Sequence, residues 1–311
     1  MKTVVITGGL GFIGHHLVKT FLDRRWNVII IDDLSQHDDP YLTKYRMESI
    51  QNKKCQFINS SCHHAYDLKN KLRGEDVTAI VHLASIPNQK SAISMPNSSI
   101  HSITGNTLTM AMMATELYAK FVHVSSSMAY GHFTSSPQKE DAVLAPTNLY
   151  GTLKSHSEVI VKLFSENYTI IRPSAVYGPG DSFDRVIGKW ILSALKGDEI
   201  VVNDPATLMD FTYVTDLVQG IFAATASNYK DRTYNITRGQ ARSLGEAVLL
   251  VKTLTGSKST VYYAHPTPNE PIRGALDISK AKEELGYSPK IDLQEGIESY
   301  IAWIRRYKNV Y

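Results

Sequence analysis

The chain has 311 residues, of which 43% are hydrophobic and 20% are charged, and its formal net charge at pH 7 is +3. This composition is that of an ordinary globular protein, large enough for one α/β unit with a smaller lobe. The small net charge and the lack of a Lys/Arg cluster argue against a nucleic-acid partner. We also expect no membrane association and no targeting segment, because every apolar run is too short for either.

The two cysteines, Cys55 and Cys62, lack the number and spacing of a disulfide framework. We predict that both are reduced thiols of a cytoplasmic protein. A metal site built on Cys62, His63 and His64 is the alternative. No fourth ligand stands nearby at a zinc spacing, so the sequence favours a polar loop before a helix and no bound metal.

The first half of the chain alternates short apolar runs with longer segments of helical periodicity. Near-continuous apolar runs are typical of parallel strands that are covered on both faces. Strands are predicted over residues 4–7, 28–31, 57–59, 79–83, 121–124 and 169–172, and helices include residues 15–25, 103–118 and 150–166. The pattern predicts an α/β fold with a doubly wound parallel sheet of the Rossmann type.

The pattern changes after residue 172, where Pro and Gly become frequent and the elements become shorter. We expect residues 1–172 to form a nucleotide-binding domain. Residues 173–311 are expected to form mainly a smaller α/β substrate-binding lobe, with some segments returning to the first domain. A further helix is predicted over residues 293–306.

A glycine-rich turn with the sequence TGGLGFIG directly follows the first predicted strand and opens a helix. Gly8, Gly11 and Gly14 fit a G-x-x-G-x-x-G pattern. Residues without a Cβ permit a tight turn, a close approach to a pyrophosphate and close packing of helix on strand. The helix N-terminus presents free N–H groups to the phosphates, which brings Phe12 and Ile13 to the cofactor as well.

Two acidic residues follow the second predicted strand. Asp32 comes roughly 20 residues after Gly14, and a carboxylate at that distance can bind the adenosine ribose hydroxyls and repel a 2′-phosphate. Asp33 adds a second negative charge. The pair favours NAD over NADP, and a simple turn role at the strand end is the alternative for Asp32.

Tyr150 and Lys154 form a Tyr-x-x-x-Lys motif, whose two positions share one face of a helix. We expect the Lys154 ammonium to lower the pKa of Tyr150 from its usual value of about 10. Tyr150 can then take a proton from a substrate hydroxyl while the same carbon gives a hydride to nicotinamide. A surface helix pair is the alternative. Ser125, Ser126 and Ser127 follow the fifth predicted strand, at the edge where ligands bind such sheets.

Together these motifs resemble the extended short-chain dehydrogenase/reductase family and, within it, the nucleotide-sugar epimerases and dehydratases. The resemblance covers essentially the whole chain, and the matching stretches are residues 7–14, 31–35, 82–84, 125–131, 150–154, 172–180, 210–216 and 277–286. It implies that Ser126 orients the reacting hydroxyl. Ser125 and Ser127 are then positions that line or hydrogen-bond the substrate.

The resemblance also implies how a bound NAD would lie. Leu83 and Ala84 would pass the cofactor on the backbone side, and Pro173 would approach the nicotinamide end. Tyr150 and Lys154 would contact the cofactor as well as perform the acid–base step.

The residues after Ser126 bear on the reaction. The 4,6-dehydratases of the family place an Asp-Glu pair there to eliminate water, whereas this chain has Ser127 and Met128. We therefore predict an NAD-dependent nucleotide-sugar epimerase, acting at C4 of a UDP-hexose or UDP-hexuronic acid through a transient keto sugar. The alternatives are an NAD(P)-dependent reductase or dehydrogenase of a nucleotide-linked keto sugar or a small alcohol, and a non-catalytic dinucleotide sensor.

The substrate-binding positions depart from the family pattern. Ala175, Met209 and Thr267 stand where the family often has an asparagine and two arginines, and familiar contacts to the diphosphate are thereby lost. Arg185 and Arg273 are candidates to bind a substrate carboxylate or phosphate, since the guanidinium fork fits either group. The alternatives are a solvated loop arginine and a surface charge, respectively.

The helices predicted over residues 103–118 and 150–166 carry apolar residues on more sides than one sheet face can cover, among them Met112 and Leu163. The resemblance implies that these helices form a four-helix contact in a homodimer. Simple core packing within one chain is the alternative.

Overall fold

The computed structural model describes residues 1–35, 39–50, 54–265 and 270–310, without the side chains of 308–310. The strands are β1 (Thr3–Thr7), β2 (Asn27–Asp32), β3 (Cys55–Asn59), β4 (Val77–His82), β5 (Lys120–Val124), β6 (Tyr168–Arg172), β7 (Val176–Tyr177), β8 (Ile200–Asn203), β9 (Leu208–Asp210), β10 (Thr212–Tyr213), β11 (Arg232–Asn235), β12 (Ala241–Ser243) and β13 (Val261–Ala264). The α-helices are α1 (Phe12–Asp23), α2 (Pro40–Glu48), α3 (Ala65–Lys71), α4 (Gln89–Ser94), α5 (Pro96–Ile100), α6 (Asn106–Glu116), α7 (Leu149–Phe164), α8 (Val186–Lys196), α9 (Val214–Ala226), α10 (Leu244–Thr255), α11 (Ser279–Leu285) and α12 (Leu293–Val310).

A seven-stranded sheet of order β3-β2-β1-β4-β5-β6-β11 forms the centre of the molecule. Neighbouring strands pair in parallel throughout. The predicted doubly wound fold is confirmed. Strand order reverses between β1 and β4, and ligands bind such sheets in the crevice at the carboxyl ends of the strands flanking that point.

Successive residues of each strand point to opposite faces of the sheet. Because both sets of side chains are apolar, helices cover both faces. Val4 and Ile6 of β1 pack with α1 and α9 on one face. Val5 between them belongs to the other core, together with Met110 of α6 and Val161 of α7. The near-continuous apolar strands predicted from the sequence follow from this double coverage.

A third core lies among α8, α10, α12 and the short strands. Trp190 of α8 and Ile304 of α12 are among its buried residues. The Trp190 indole N–H donates to the backbone oxygen of Val201 on β8 at 2.9 Å, which satisfies its polar end. Most of these elements come from residues beyond 172, whereas α9 and β11 from the same part of the chain pack on or extend the large sheet.

The predicted helices differ by a few residues in their bounds from the structure, and for two of them the structure shows a local cause. The catalytic-motif helix α7 begins at Leu149 because the Asn148 side chain caps it, accepting from the Gly151 N–H at 3.0 Å. The helix predicted to begin at residue 103 is entered through α5 and a π-helical turn, His101–Gly105, before α6. Hydrophobic periodicity does not register that wider turn.

Both cysteines are free thiols. Cys62 lies in the turn before α3, as predicted, but its side chain is buried in an apolar core and is not part of a polar surface. Within the described ranges, His, Cys, Asp and Glu side chains form no group of three that could hold a metal ion. No helix in the described part of the chain is long and apolar enough to cross a membrane.

Candidate active site

The glycine turn between β1 and α1 leaves no space for side chains at its closest approach. Gly8 has a φ of +67°, which an L side chain rarely adopts. A Cβ on Gly14 would lie 2.0 Å from the Gly8 carbonyl oxygen. The Gly11 N–H donates to that same oxygen at 3.0 Å, closing the turn. The free N–H groups of α1, including those at Phe12 and Ile13, follow directly at the crevice.

The glycine turn meets the end of β4 across the crevice. A Cβ on Gly8 would lie 2.9 Å from the Ala84 nitrogen. The backbone N–H groups of Leu83 and Ala84 each donate to the Thr7 hydroxyl at 3.2 Å. That hydroxyl also lies 2.7 Å from Nδ1 of His82. The structure therefore brings the predicted cofactor positions of β1 and β4 together at the point where strand order reverses.

Asp32 ends β2 beside the same turn and is buried. Its carboxylate accepts from the Leu10 N–H and from the Leu34 N–H, each at 3.0 Å. Asp32 therefore stabilises the turn at the end of β2, the alternative role given for it above. It also lies against the glycine turn, where a cofactor ribose could reach it. Asp33 is exposed, and its carboxylate accepts from the Ser35 N–H at 3.0 Å.

Ser126, Tyr150 and Arg185 come together from three separate segments of the chain. Burial raises the pKa of Tyr150, while the charge of Arg185 and a hydrogen bond from Ser126 lower it, and the net shift is upward. The Ser126 hydroxyl also accepts from the Met128 N–H at 3.1 Å, capping the 3₁₀ turn that follows β5. A phenol with this serine and this guanidinium can exchange a proton with a substrate hydroxyl.

Lys154 is buried one helical turn from Tyr150. Its ammonium donates to the Val124 backbone oxygen at 3.0 Å and lies 5.8 Å from the centre of the Tyr150 ring. Burial lowers the pKa of Lys154 to about 8, against the opposing charge of Glu158. The prediction that Lys154 lowers the pKa of Tyr150 is wrong, because the ammonium points to β5 while Arg185 and Ser126 act on the phenol.

The other two serines are turned into the protein. Ser125 is buried, and its hydroxyl donates to Glu158 at 2.6 Å. Ser127 is also buried, and its backbone N–H donates to the Pro173 oxygen at 2.9 Å. The Pro173 segment therefore lies directly beside the serine turn.

Arg185 precedes α8 and has about a third of its side chain exposed. Its Nε lies 3.4 Å from the buried carboxylate of Asp181, and an Nη donates to the Pro87 oxygen at 3.2 Å. Its alternative as a solvated loop arginine is wrong, because both contacts and its charge at Tyr150 direct it inward. Sequence reasoning missed Asp181, because both residues precede α8 and their spacing predicts no contact outside a helix.

We expect the Asp181 carboxyl to make stability depend on pH. Burial raises its pKa to about 7, against the charge of Arg185. The folded protein then binds a proton that the unfolded chain has released, so stability is lost as pH rises from about 4 through about 7. This proton accounts for up to about 4 kcal/mol of unfolding free energy between low and high pH, and Asp181→Asn should abolish that pH dependence.

Urea unfolding of wild type and Asp181→Asn at pH 5 and pH 8 measures this effect. The unfolding free energy of Asp181→Asn relative to wild type should be higher at pH 8 than at pH 5. Asp184→Asn is the matched control for a neighbouring carboxylate. An equal difference at both pH values would contradict the shift.

Arg273 lies in the segment before α11 with 7% of its side chain exposed, so its alternative as a surface charge is wrong. An Nη donates to Glu270 at 2.6 Å, and the buried Nε has no partner among the described residues.

Met209 lies on β9 opposite Arg242 of β12. Thr267 lies outside the described residues.

The NAD dependent epimerase/dehydratase family matches residues 4–237 of the chain. The chain belongs to this family. The uncharacterised UDP-glucose epimerase YtcB of Bacillus subtilis is 30% identical, over 97% of this chain and 97% of YtcB. UDP-glucuronate 4-epimerase 3 of Arabidopsis thaliana is 28% identical over 99% of this chain and 77% of its own length. A crystal structure of UDP-glucuronic acid 4-epimerase from Bacillus cereus with UDP-glucuronic acid and NAD has a TM-score of 0.91 and 27% identity, and covers 100% of both chains.

These findings confirm the predicted family and agree with the predicted cofactor, since the Bacillus cereus enzyme is crystallised with NAD. The epimerase/dehydratase chain has a cradle that fits a dinucleotide. A Cβ at Gly8 or Gly14 would collide with the backbone around the turn, so the turn can pack closely only with glycine at these positions, and Asp32 lies beside it. When bound there, NAD supplies a hydride acceptor that can also return the hydride.

Proposed function

We propose that the chain is an NAD-dependent nucleotide-sugar 4-epimerase that acts on a UDP-hexose or UDP-hexuronic acid. The proposal rests on Ser126, which caps the turn at the carboxyl end of β5, and on its interaction and that of Arg185 with Tyr150. The positions used for dehydration in this family hold Ser127 and Met128, both buried and without a carboxyl group. The relatives named for 4-epimerisation support C4 as the site of reaction.

In the proposed mechanism, Tyr150 takes the proton of the 4-hydroxyl as C4 loses its hydride, for which a bound NAD would be the acceptor and later the donor. Tyr150 gives the proton back as the hydride returns to the other face of the turned keto sugar. Ser126 donates a hydrogen bond to the reacting oxygen and keeps it next to the phenol. Burial raises the pKa of Tyr150 overall, and the charge of Arg185 opposes that rise. No acid for water elimination is required, which agrees with Ser127 and Met128.

We further propose a uronic acid as the preferred sugar, with Arg185 as the residue that binds its carboxylate. A charge-assisted bidentate pair contributes about 1.5–3 kcal/mol, so Arg185→Ala should raise KM for UDP-glucuronic acid about 10- to 100-fold. Initial rates with UDP-glucuronic acid and UDP-glucose as paired substrates measure this. KM for UDP-glucose should change little.

Arg305→Ala is the matched control, because Arg305 is an exposed arginine on α12, and its KM for both sugars should equal that of wild type. If Arg185→Ala raises KM equally for both sugars, Arg185 binds the shared diphosphate and the carboxylate assignment is wrong. If KM for UDP-glucuronic acid stays at the wild-type value, Arg185 binds neither group.

The proposed function is tested by denaturing the purified protein, identifying the released nucleotide, and then following UDP-sugars by proton NMR. Stoichiometric NAD and a 4-epimeric product support an epimerase. A protein without bound nucleotide that exchanges NAD(H) or NADPH and forms product only with added cofactor would instead be a reductase or dehydrogenase.

We also propose that the chain forms a homodimer through α6 and α7. The neighbouring apolar side chains Met112, Val159, Leu163 and Phe164 are between 44% and 72% exposed. A cluster of this kind on adjacent helices is typical of a protein interface. Leu163→Glu should place a charge in the contact and yield a monomer in sedimentation at micromolar concentration, while Leu249→Glu, on the exposed side of α10, should stay dimeric. Wild-type protein that sediments only as a monomer would contradict this proposal.

A cytoplasmic location and a role in carbohydrate metabolism complete the proposal. The two free thiols support the first and the nucleotide-sugar relatives support the second. Cell fractionation with an antibody against the chain tests the location.

A further inference from the structure

Three hydrogen bonds join consecutive residues at the end of β5 to one face of α7. His123 Nε2 lies 2.8 Å from the Ser157 hydroxyl. The Val124 oxygen accepts from Lys154 at 3.0 Å, and the Ser125 hydroxyl donates to Glu158 at 2.6 Å. The next residue of this strand segment is Ser126, so these bonds set its position against the helix that carries Tyr150.

Glu158 differs from the other members of this group because it also binds a third element. Its Oε1 accepts from Arg172 Nε at 2.9 Å, and its Oε2 accepts from an Arg172 Nη at 2.7 Å. The two side chains are 1% and 3% exposed, so both charges are removed from water. Arg172 also lies over the Tyr130 ring at 4.6 Å and donates to the Glu140 backbone oxygen at 2.9 Å.

Tyr150, Lys154 and Glu158 are spaced by four residues and share one face of α7. The negative charge of Glu158 therefore lies one turn beyond Lys154 and raises the Lys154 pKa against the lowering by burial. The other titratable groups that face Lys154 are His82 on β4 and His123 on β5. Burial holds the pKa of His82 at about 3 and that of His123 well below its usual value, so both are neutral near pH 7.

We propose that Glu158 is a positioning residue for the reaction. Its carboxylate, held by Arg172, keeps Ser125 and the Ser126 turn in register with Tyr150 and keeps a negative charge beside the Lys154 ammonium. This inference rests on the proposed function, because it assigns Glu158 a part in the same proton and hydride transfer. A purely structural ion pair would stabilise the fold without affecting the position of Ser126 against Tyr150 or the titration of Lys154.

The test compares Glu158→Gln with the double variant Glu158→Leu/Arg172→Met. The single variant leaves a buried guanidinium without its partner and should lower the Tm. Replacing both charges with apolar side chains of similar volume should restore much of that stability. Both variants should lose about 10- to 100-fold in kcat with KM close to wild type, because the reacting groups are misplaced.

A second readout follows Lys154 directly and needs no substrate. In protein labelled with 13C at lysine Cε, the Lys154 signal is the one that Lys154→Arg removes. Its titration midpoint should move to lower pH in both Glu158 variants. In Ser125→Ala the charge of Glu158 remains, so kcat should fall while the Lys154 midpoint stays in place.

Glu284→Gln is the matched control, since it breaks a partly buried pair with Arg232, at the amino end of the edge strand β11. It should lose stability with kcat and the Lys154 midpoint unchanged. A folded double variant with wild-type kcat and an unmoved Lys154 midpoint would overturn the inference. Wild-type protein that turns over no UDP-sugar would instead refute the proposed function, and the Lys154 titration would still decide the effect of Glu158.

Discussion

Replacing Tyr150 with phenylalanine is expected to lower kcat by about 10²- to 10⁴-fold, the usual contribution of a positioned acid–base group. The substitution removes only the hydroxyl that meets Ser126 and Arg185 and retains the ring. NAD content and Tm should therefore stay close to wild type. Steady-state rates and the nucleotide released on denaturation measure both properties.

Tyr118→Phe is the matched control, because Tyr118 is 95% exposed and remote from the serine turn. Its kcat should equal that of wild type. Full activity of Tyr150→Phe on a verified substrate would remove Tyr150 from the acid–base step and would mean that another side chain or water accepts the proton.

Gly14→Ala is expected to abolish stoichiometric NAD binding. Alanine normally stabilises a helix relative to glycine by about 1 kcal/mol. At this position, however, the new Cβ would lie 2.0 Å from the Gly8 oxygen and 2.8 Å from the Gly9 Cα. The turn and α1 must separate, which should cost about 1–3 kcal/mol in unfolding free energy and displace the N–H groups that face the phosphates.

Gly105→Ala is the control with the same substitution, because a Cβ there would make an ordinary 3.6 Å contact with His63. That variant should keep its NAD and its stability. The prediction is tested by the NAD-to-protein ratio and by urea unfolding of both variants. An unchanged NAD ratio in Gly14→Ala would show that the cradle tolerates a side chain.

The large sheet could be predicted from the sequence because buried parallel strands leave a signal in almost every residue. Val4, Val5 and Ile6 are all apolar since the two faces of β1 belong to two cores. The glycine turn was equally readable, because the positive φ of Gly8 and the contact at Gly14 restrict those positions to glycine. Strand β11, which completes the sheet, carries the short sequence RTYN and lacks such an apolar run.

The electrostatics of the site could not be predicted in the same way, because they depend on where long side chains end. The Tyr-x-x-x-Lys motif placed Lys154 on the right face of α7, but the direction of its ammonium follows from the Val124 oxygen on another element. Arg185 was recognised as a candidate from its position, whereas its pairing with Asp181 and its effect on Tyr150 depend on three-dimensional packing.

The measurement that tests the central claim most directly uses UDP-glucuronic acid carrying deuterium at C4. An enzyme that removes and returns the same hydride should give the 4-epimer with deuterium retained at C4, with no added cofactor and no net NADH. Product with hydrogen at C4, or a keto sugar formed with stoichiometric NADH, would contradict the proposed epimerase.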